Sequence, residues 1–265
     1  MRRGCECPAI ASLEAQGKRE AAHRCAQFAA RVFRYAIQSG YCQMNPAADL
    51  RGALKKKVTE SHAGITDPTE FGRFMQLVDQ PGYSHATVYN GIRLLARTFV
   101  RPGELRQAHW SEFDLDKAEW KIPAARMEMR RPHLVPLSKQ AVAILKEQFE
   151  VSGDGPFVFP GVRSGRPMSD AGMGVSIKNM CIPPEAHVPH GFRVSASTLL
   201  NELGFDSALI ELQLSHAKRD KVAGIYDRSQ RVAERKTMMQ RWSGYIDELK
   251  EPKPKKRSVG KAGRR

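Results

Sequence analysis

The sequence predicts a mainly helical chain with a small antiparallel β-sheet on one side, an α+β arrangement. Three observations lead there. Most of the chain repeats its apolar residues at the helical period. One stretch, "WSEFDLDKAEWKIP" (110–123) followed by "HLVPL", alternates at the strand period instead. A hydrophobic content of 41% over 265 residues supplies the core of one sizeable domain plus part of another, and argues against wholesale disorder.

The elements follow in order. Residues 9–38 have a helical period, with Ala22, Cys25, Ala29, Val32, Phe33 and Ala36 on one stripe and His23, Arg24, Arg31 and Arg34 off it. Gly40 is placed to close that helix, and "NPAADL" turns the chain. "RGALKKKVTESHAGI" (51–65) has little periodicity and reads as a linker to residue 66. Its lysines Lys55, Lys56 and Lys57 are either solvated or in contact with phosphates. Asp67 is a good N-cap, Pro68 suits the first helical position and Glu70 completes a capping-box pattern, so the main domain starts at 67. A second helix covers about 84–98. Phe113 and Leu115 are answered by Trp120 and Ile122 across Asp116-Lys117, a hairpin, and "HLVPL" is a third strand. "SKQAVAILKEQF" is a helix capped by Ser138, "FVFPG" is a short apolar run, and helices then dominate to about 248. Residues 249–265 form a Pro- and Lys-rich tail that composition marks as disordered. The chain has no internal repeat.

The net charge of +15 favours polyanionic partners, nucleic acid above all, and disfavours acidic ones. Without the tail the body is still clearly basic. No apolar run approaches the roughly 18 residues of a membrane span, and "MRRGCECPAIASLEAQ" is too polar for a secretory signal. The cysteines, Cys5, Cys7, Cys25, Cys42 and Cys181, are odd in number and irregularly spaced. Cys5 and Cys7 are too close for an unstrained disulfide and lack the second pair of a zinc site. Reduced thiols, a cytoplasmic location and a site without metal or cofactor are the expectation.

In "PHGFRVSASTLLNELGF", Phe192, Ala196, Leu199, Leu200 and Leu203 form one apolar helical stripe, ended by Gly204. His190 and Arg193, three apart, are expected on an adjacent polar face at the helix N-terminus, an end that favours anions. The alternative is an imidazole and a cation that are merely surface neighbours. "LSHAKRDKVAGIYDRSQ" (214–230) sets His216 and Tyr226 in a basic run. A phenol with a pKa of about 10 is a poor nucleophile unless a base takes its proton and cations stabilise the transition state. Attack on a phosphodiester builds charge on two non-bridging oxygens, which two arginine forks can clamp without a metal. Arg101, in the turn "TFVRPGEL", is the candidate for the second arginine, with Glu104 placed to orient a neighbouring cation. Alone it also reads as an ordinary surface arginine.

Taken together, Arg101 in "TFVRPGEL", the His190-Gly-Phe-Arg193 step and "LSHAKRDKVAGIY" occur in the order and at the separations of tyrosine recombinases. From about residue 12 to 248 the chain resembles that family, closely its phage-type integrases of genomic islands. "FVRPGELRQAHWSEFDL", "RRPHLVPLS", "HGFRVSASTLLNELG" and "ERKTMMQRWSGYIDEL" carry the likeness. The resemblance implies the tyrosine recombinase catalytic-domain fold of DNA breaking–rejoining enzymes over 67–248, preceded by a remnant of the helical core-binding domain over 1–50. It implies that Tyr226 attacks a DNA phosphate to give a 3′-phosphotyrosyl bond, with Arg101 and Arg193 clamping the phosphate. His190 would act in acid/base transfer and His216 would hydrogen-bond a non-bridging oxygen. It further implies double-stranded DNA attachment sites as partner and a tetramer on DNA. Lys55, Lys56, Lys57, Arg130 and Arg131 are the candidate DNA-backbone contacts.

Two departures stand out. The family carries a hairpin lysine seven residues before the valine of "VPL", the general acid to the leaving 5′-oxygen; here that position is Glu128. Lys121, Arg130 and Arg131 are the nearby cations, though arginine is a poor acid. The chain also starts inside the core-binding domain. A catalytically impaired DNA-binding remnant is therefore the alternative, and a monomeric type IB topoisomerase a third. The segment "RVAERKTMMQRWSGYIDEL" (231–249) is an amphipathic helix suited to a neighbouring protomer or to its own domain.

Overall fold

The computed structural model describes residues 8–48, 50–55, 62–80, 82, 85–127, 130–162, 165–215 and 231–251. They fall into two units, divided between residues 61 and 62.

In the first unit the expected single helix over 9–38 is two helices, α1 (Pro8–Ala15) and α2 (Arg19–Gln38). They part at Gly17, whose φ of +74° lies in the left-handed region. The buried stripe of α2 is narrower than the periodicity suggests. Ala22 and Ala26, one turn apart, pack with Ile10, Leu13, Leu50 and Leu54, while Cys25 and Val32 face solvent. Two alanines let α1 approach closely, so the small core forms on their side. Gly40 closes α2 as expected: its φ is +75°, and the Tyr41 N–H donates to Ala36 O at 2.8 Å. A short helix, α3 (Leu50–Ala53), follows.

The second unit begins at His62, five residues before the expected start, but its first helix is capped where the signature predicts, although the Glu70 carboxylate pairs with Arg73 instead of closing a capping box. Asp67 Oδ1 accepts from the Glu70 N–H at 2.8 Å, and Pro68 is the first residue of α4 (Pro68–Val78). The next helix, α5 (Ala86–Thr98), is the axle of this unit. Ile92 and every residue from Leu94 to Thr98 are buried, so the C-terminal end of the helix is covered all round, and the helix packs with α4, α7, α8, α9 and α11. After α6 (Pro102–Arg106) come β1 (Phe113–Asp114), β2 (Glu119–Ile122) and β3 (His133–Pro136), an antiparallel sheet in the order β1-β2-β3. Phe113 pairs with Trp120, their rings stacked 4.9 Å apart. Leu115 falls in the turn rather than the ladder, and Ile122 pairs with His133 instead. Ser138 caps α7 (Lys139–Ser152), accepting from the Ala141 N–H at 3.1 Å. The remaining helices are α8 (Gly172–Asn179), α9 (Gly191–Glu202), α10 (Ser207–Leu214) and α11 (Val232–Lys250).

Of the two packings open to α11, the structure has the intramolecular one. Met238, Met239, Trp242 and Ile246 are buried in the core, and α11 lies on α4, α5 and β3 of its own chain. Gly72 permits the approach, since a Cβ there would stand 2.2 Å from Leu249 O.

Candidate active site

Helix C-termini leave backbone carbonyls without intrahelical partners, and buried ones need donors from elsewhere. Two such ends, those of α5 and α10, organise the site. At the end of α5, Trp242 Nε1 donates to Ala96 O at 2.9 Å, Gln213 Nε2 to Thr98 O at 3.2 Å, and Arg193 Nη1 to Phe99 O at 3.0 Å. At the end of α10, His133 Nε2 bonds Gln213 O at 3.1 Å, Arg193 Nη2 donates to Leu214 O at 2.7 Å, and Arg101 Nη2 to Ser215 O at 3.4 Å. Cations are favoured at this end of a helix dipole. The chain thus gathers Arg101 and Arg193, far apart in sequence, on adjacent carbonyls of one helix end.

Arg101 is aimed locally. Phe99 takes a left-handed conformation (φ 41°) and ends α5, which turns the chain so that Arg101 caps α6 in an extended conformation. Glu104 grips it twice: the Arg101 N–H donates to Oε2 at 2.9 Å and Nη1 to Oε1 at 3.0 Å. Glu104 is only 5% exposed, so the pair shares a site where an unpaired carboxylate would be costly. The cation expected beside Glu104 is Arg101 itself.

Arg193 differs from expectation. It does not share a polar surface with His190 but is 4% exposed, its fork pointing inward to the two carbonyls. Burial, and next the Arg101 charge, hold its pKa down to about 10, so it is still a cation at neutral pH. The helical period places Arg193 one turn from His190; it says nothing of the carbonyls that draw it inside.

Three residues not singled out from the sequence complete the network. Arg235, from α11, is 2% exposed, donates from Nε and Nη2 to Gln213 Oε1 at 3.0 and 2.6 Å, and donates from Nη2 to Leu134 O at 2.6 Å. Gln213 therefore ties α5, α10 and α11 together. His133 faces the same side of β3 as buried Val135 and is held neutral, its pKa pushed to about 3 by burial first and then by Arg235, Arg193 and Arg101. Its bond to a carbonyl requires the Nε2–H tautomer. The one available signal was the strand alternation, which puts His133 and Val135 on the same face.

His190 occupies the N-cap position of α9, half-buried, its ring 4.2 Å from that of His62. Nearby His187 is fully buried between Phe74 and Phe192. Its Nδ1 accepts the Ile65 N–H at 3.2 Å, and burial pushes its pKa to about 3.

His216 and Tyr226 lie outside the described residues, as do Lys56, Lys57 and Glu128. His216 directly follows Ser215, whose carbonyl Arg101 holds. Lys55 is exposed at its side chain, while its backbone N–H donates to Glu14 Oε1 at 2.7 Å and its O is bonded by His23. Arg130, Arg131 and Lys121 are exposed around the β2–β3 connection. The described residues give a paired guanidinium platform, with His190 one turn before Arg193 at the start of α9. Such a group can bind and polarise a phosphate.

The phage integrase family matches residues 65–232, and the phage integrase central domain matches residues 8–53. The integrase of Enterobacteria phage P4 is 35% identical over 255 residues, covering 90% of this chain and 57% of that protein. The chain thus spans little more than half the length of that relative. Among solved structures, a lambda integrase dimer bound to a COC′ core site has a TM-score of 0.61 at 19% identity, covering 80% of this chain and 77% of that one. A lambda integrase tetramer bound to a Holliday junction gives 0.58 at 17% identity, over 82% and 62%.

Proposed function

The chain belongs to the phage integrase family of tyrosine recombinases, and from that premise we propose that it cuts and rejoins DNA at specific sites through a covalent tyrosine intermediate. The observation that carries the proposal is the convergence of Arg101 and Arg193 on the Leu214 and Ser215 carbonyls, immediately before "HAKRDKVAGIY".

In this reading Tyr226 is the nucleophile. Its oxygen bonds to the scissile phosphorus, the bond to the 5′-oxygen breaks, and the products are a 3′-phosphotyrosyl link and a 5′-hydroxyl. Arg101 and Arg193 bind the non-bridging oxygens. Each guanidinium has five donors, and Arg193 gives two groups to backbone. His190 moves a proton at the reacting oxygen, and His216 donates to a non-bridging oxygen. Attack by a partner strand's 5′-hydroxyl reverses the chemistry without ATP, since the covalent link conserves the phosphodiester energy. The partner is double-stranded DNA at attachment sites and the working assembly a tetramer. Residues 8–53 bind the core site and 65–232 hold the chemistry. Lys55, Lys56, Lys57, Arg130 and Arg131 contact the backbone.

Glu128 favours a second reading, an integrase that binds DNA and cleaves it slowly. A carboxylate at the family's lysine position repels the phosphate and, ionised, cannot protonate the leaving oxygen. Mixing the protein with paired attachment duplexes tests the two. Joined recombinant strands, absent with Tyr226→Phe, support the enzyme; DNA retention in a gel shift without joined strands supports the slow binder.

A further inference from the structure

Residues 62–65 read as the end of a linker, yet they are strapped to the turn that starts α9. The Val188 N–H donates to Ala63 O at 3.2 Å, and the Ile65 N–H donates to His187 Nδ1 at 3.2 Å. The backbones cross glycine to glycine. A Cβ on Gly191 would stand 2.1 Å from Ala63 O, and one on Gly64 would stand 2.6 Å from Gly191 O. Three independent features thus fix the backbone of this strap against α9. They set His62 beside His190, ring centroids 4.2 Å apart and planes tilted by 41°.

We propose that His62 is a positioning residue for His190: its ring is a wall that fixes the direction in which the His190 imidazole faces. The inference rests on the reading of His190 as the acid/base residue. An imidazole at an N-cap has a fixed backbone but two rotatable side-chain bonds, and proton transfer needs its nitrogen within hydrogen-bond reach of the reacting oxygen. A neighbouring ring removes wrong orientations before DNA arrives. His62 is itself exposed, so its side chain contributes little to the core, and its loss should spare the fold. A purely structural role would predict no effect on chemistry at all.

The test compares His62→Ala and His62→Phe with the wild-type chain on a nicked duplex of the attachment core. His62→Ala should form the covalent complex about ten- to a hundredfold more slowly, the scale expected for a misplaced catalytic group, with DNA affinity and melting temperature unchanged. His62→Phe keeps an aromatic wall and should restore the rate to within about threefold, with an unaltered pH profile. Equal rates for His62→Ala and wild type overturn the proposal. So does a His62→Phe protein as slow as His62→Ala, which would mean that the imidazole acts by its own chemistry. A readout independent of activity is the spectrum of histidine-labelled protein without DNA. The His190 ring protons should move in His62→Ala through loss of the ring-current field, and unmoved signals refute the contact. Wild-type protein that forms no covalent complex would instead refute the recombinase reading, leaving the spectrum to decide the role of His62.

Discussion

Mild acid should destabilise the second unit through two buried histidines. His133 and His187 are both held neutral, with pKa values of about 3 against an ordinary value of 6.5. Burial is the first cause in each; at His133 the Arg235 charge adds to it. In the unfolded chain these rings take up protons as pH falls below about 6.5. In the folded chain they do so only near 3. The unfolded state therefore binds more protons throughout that window, and stability rises with pH across it. The contribution is fully present above about 6.5 and is lost as pH drops. At pH 5 each histidine costs about 1.5 pH units times 1.4 kcal/mol, or about 2 kcal/mol, and the pair about 4 kcal/mol. That is a large part of the roughly 5–15 kcal/mol that holds a domain together. Carboxylates are still mostly ionised at pH 5, so the window belongs to the histidines. Urea unfolding followed by tryptophan fluorescence reads this unit alone, because Trp110, Trp120 and Trp242 all lie in it. Wild type should lose about 4 kcal/mol between pH 7 and pH 5, and the double variant His133→Gln, His187→Gln much less, whatever its absolute stability. Equal stability of the wild type at both pH values would refute the reasoning, as would an undiminished loss in the double variant.

Other outcomes follow from the same geometry. Arg193→Lys cannot reach Phe99 O and Leu214 O together, so one buried carbonyl loses its donor; unfolding should show a loss of about 1–3 kcal/mol. The same substitution should slow covalent complex formation by about a hundredfold or more in a single-turnover assay, since one ammonium cannot hold the carbonyls and also reach a phosphate oxygen as the guanidinium does. Glu128→Lys should raise the single-turnover cleavage rate by about 10²-fold or more if the missing general acid limits it, whereas an unchanged rate would assign proton delivery to another group.

Local chemistry was the most legible part of the fold. Asp67 and Pro68 announce the start of α4, Ser138 that of α7, and Gly40 and Gly204 the ends of α2 and α9, because caps and left-handed turns depend on neighbours in the chain. Phe113 against Trp120 was readable for the same reason. What the sequence hid depends on distant partners. Arg193 bonds carbonyls 94 and 21 residues away, and periodicity reports a residue's face without naming what it meets there. The Gln213–Arg235 pair, His133 and the His62 strap are hidden in the same way: each is polar, and each is defined by an element remote in sequence. The stripe on α2 departs from its periodicity at Cys25 and Val32 because the period gives a face about three residues wide, whereas α1 covers only the alanine edge of it.

The central claim is that Tyr226 makes the covalent bond to DNA on the platform formed by Arg101 and Arg193. Trapping tests it most directly. The protein and its Tyr226→Phe variant are incubated with a nicked suicide duplex of the attachment core, run on a denaturing gel, and any shifted band is digested and mapped by mass spectrometry. The account predicts a protein–DNA adduct on Tyr226 that disappears in Tyr226→Phe. An adduct that persists in that variant, or its absence from wild-type protein that binds the duplex, would contradict it.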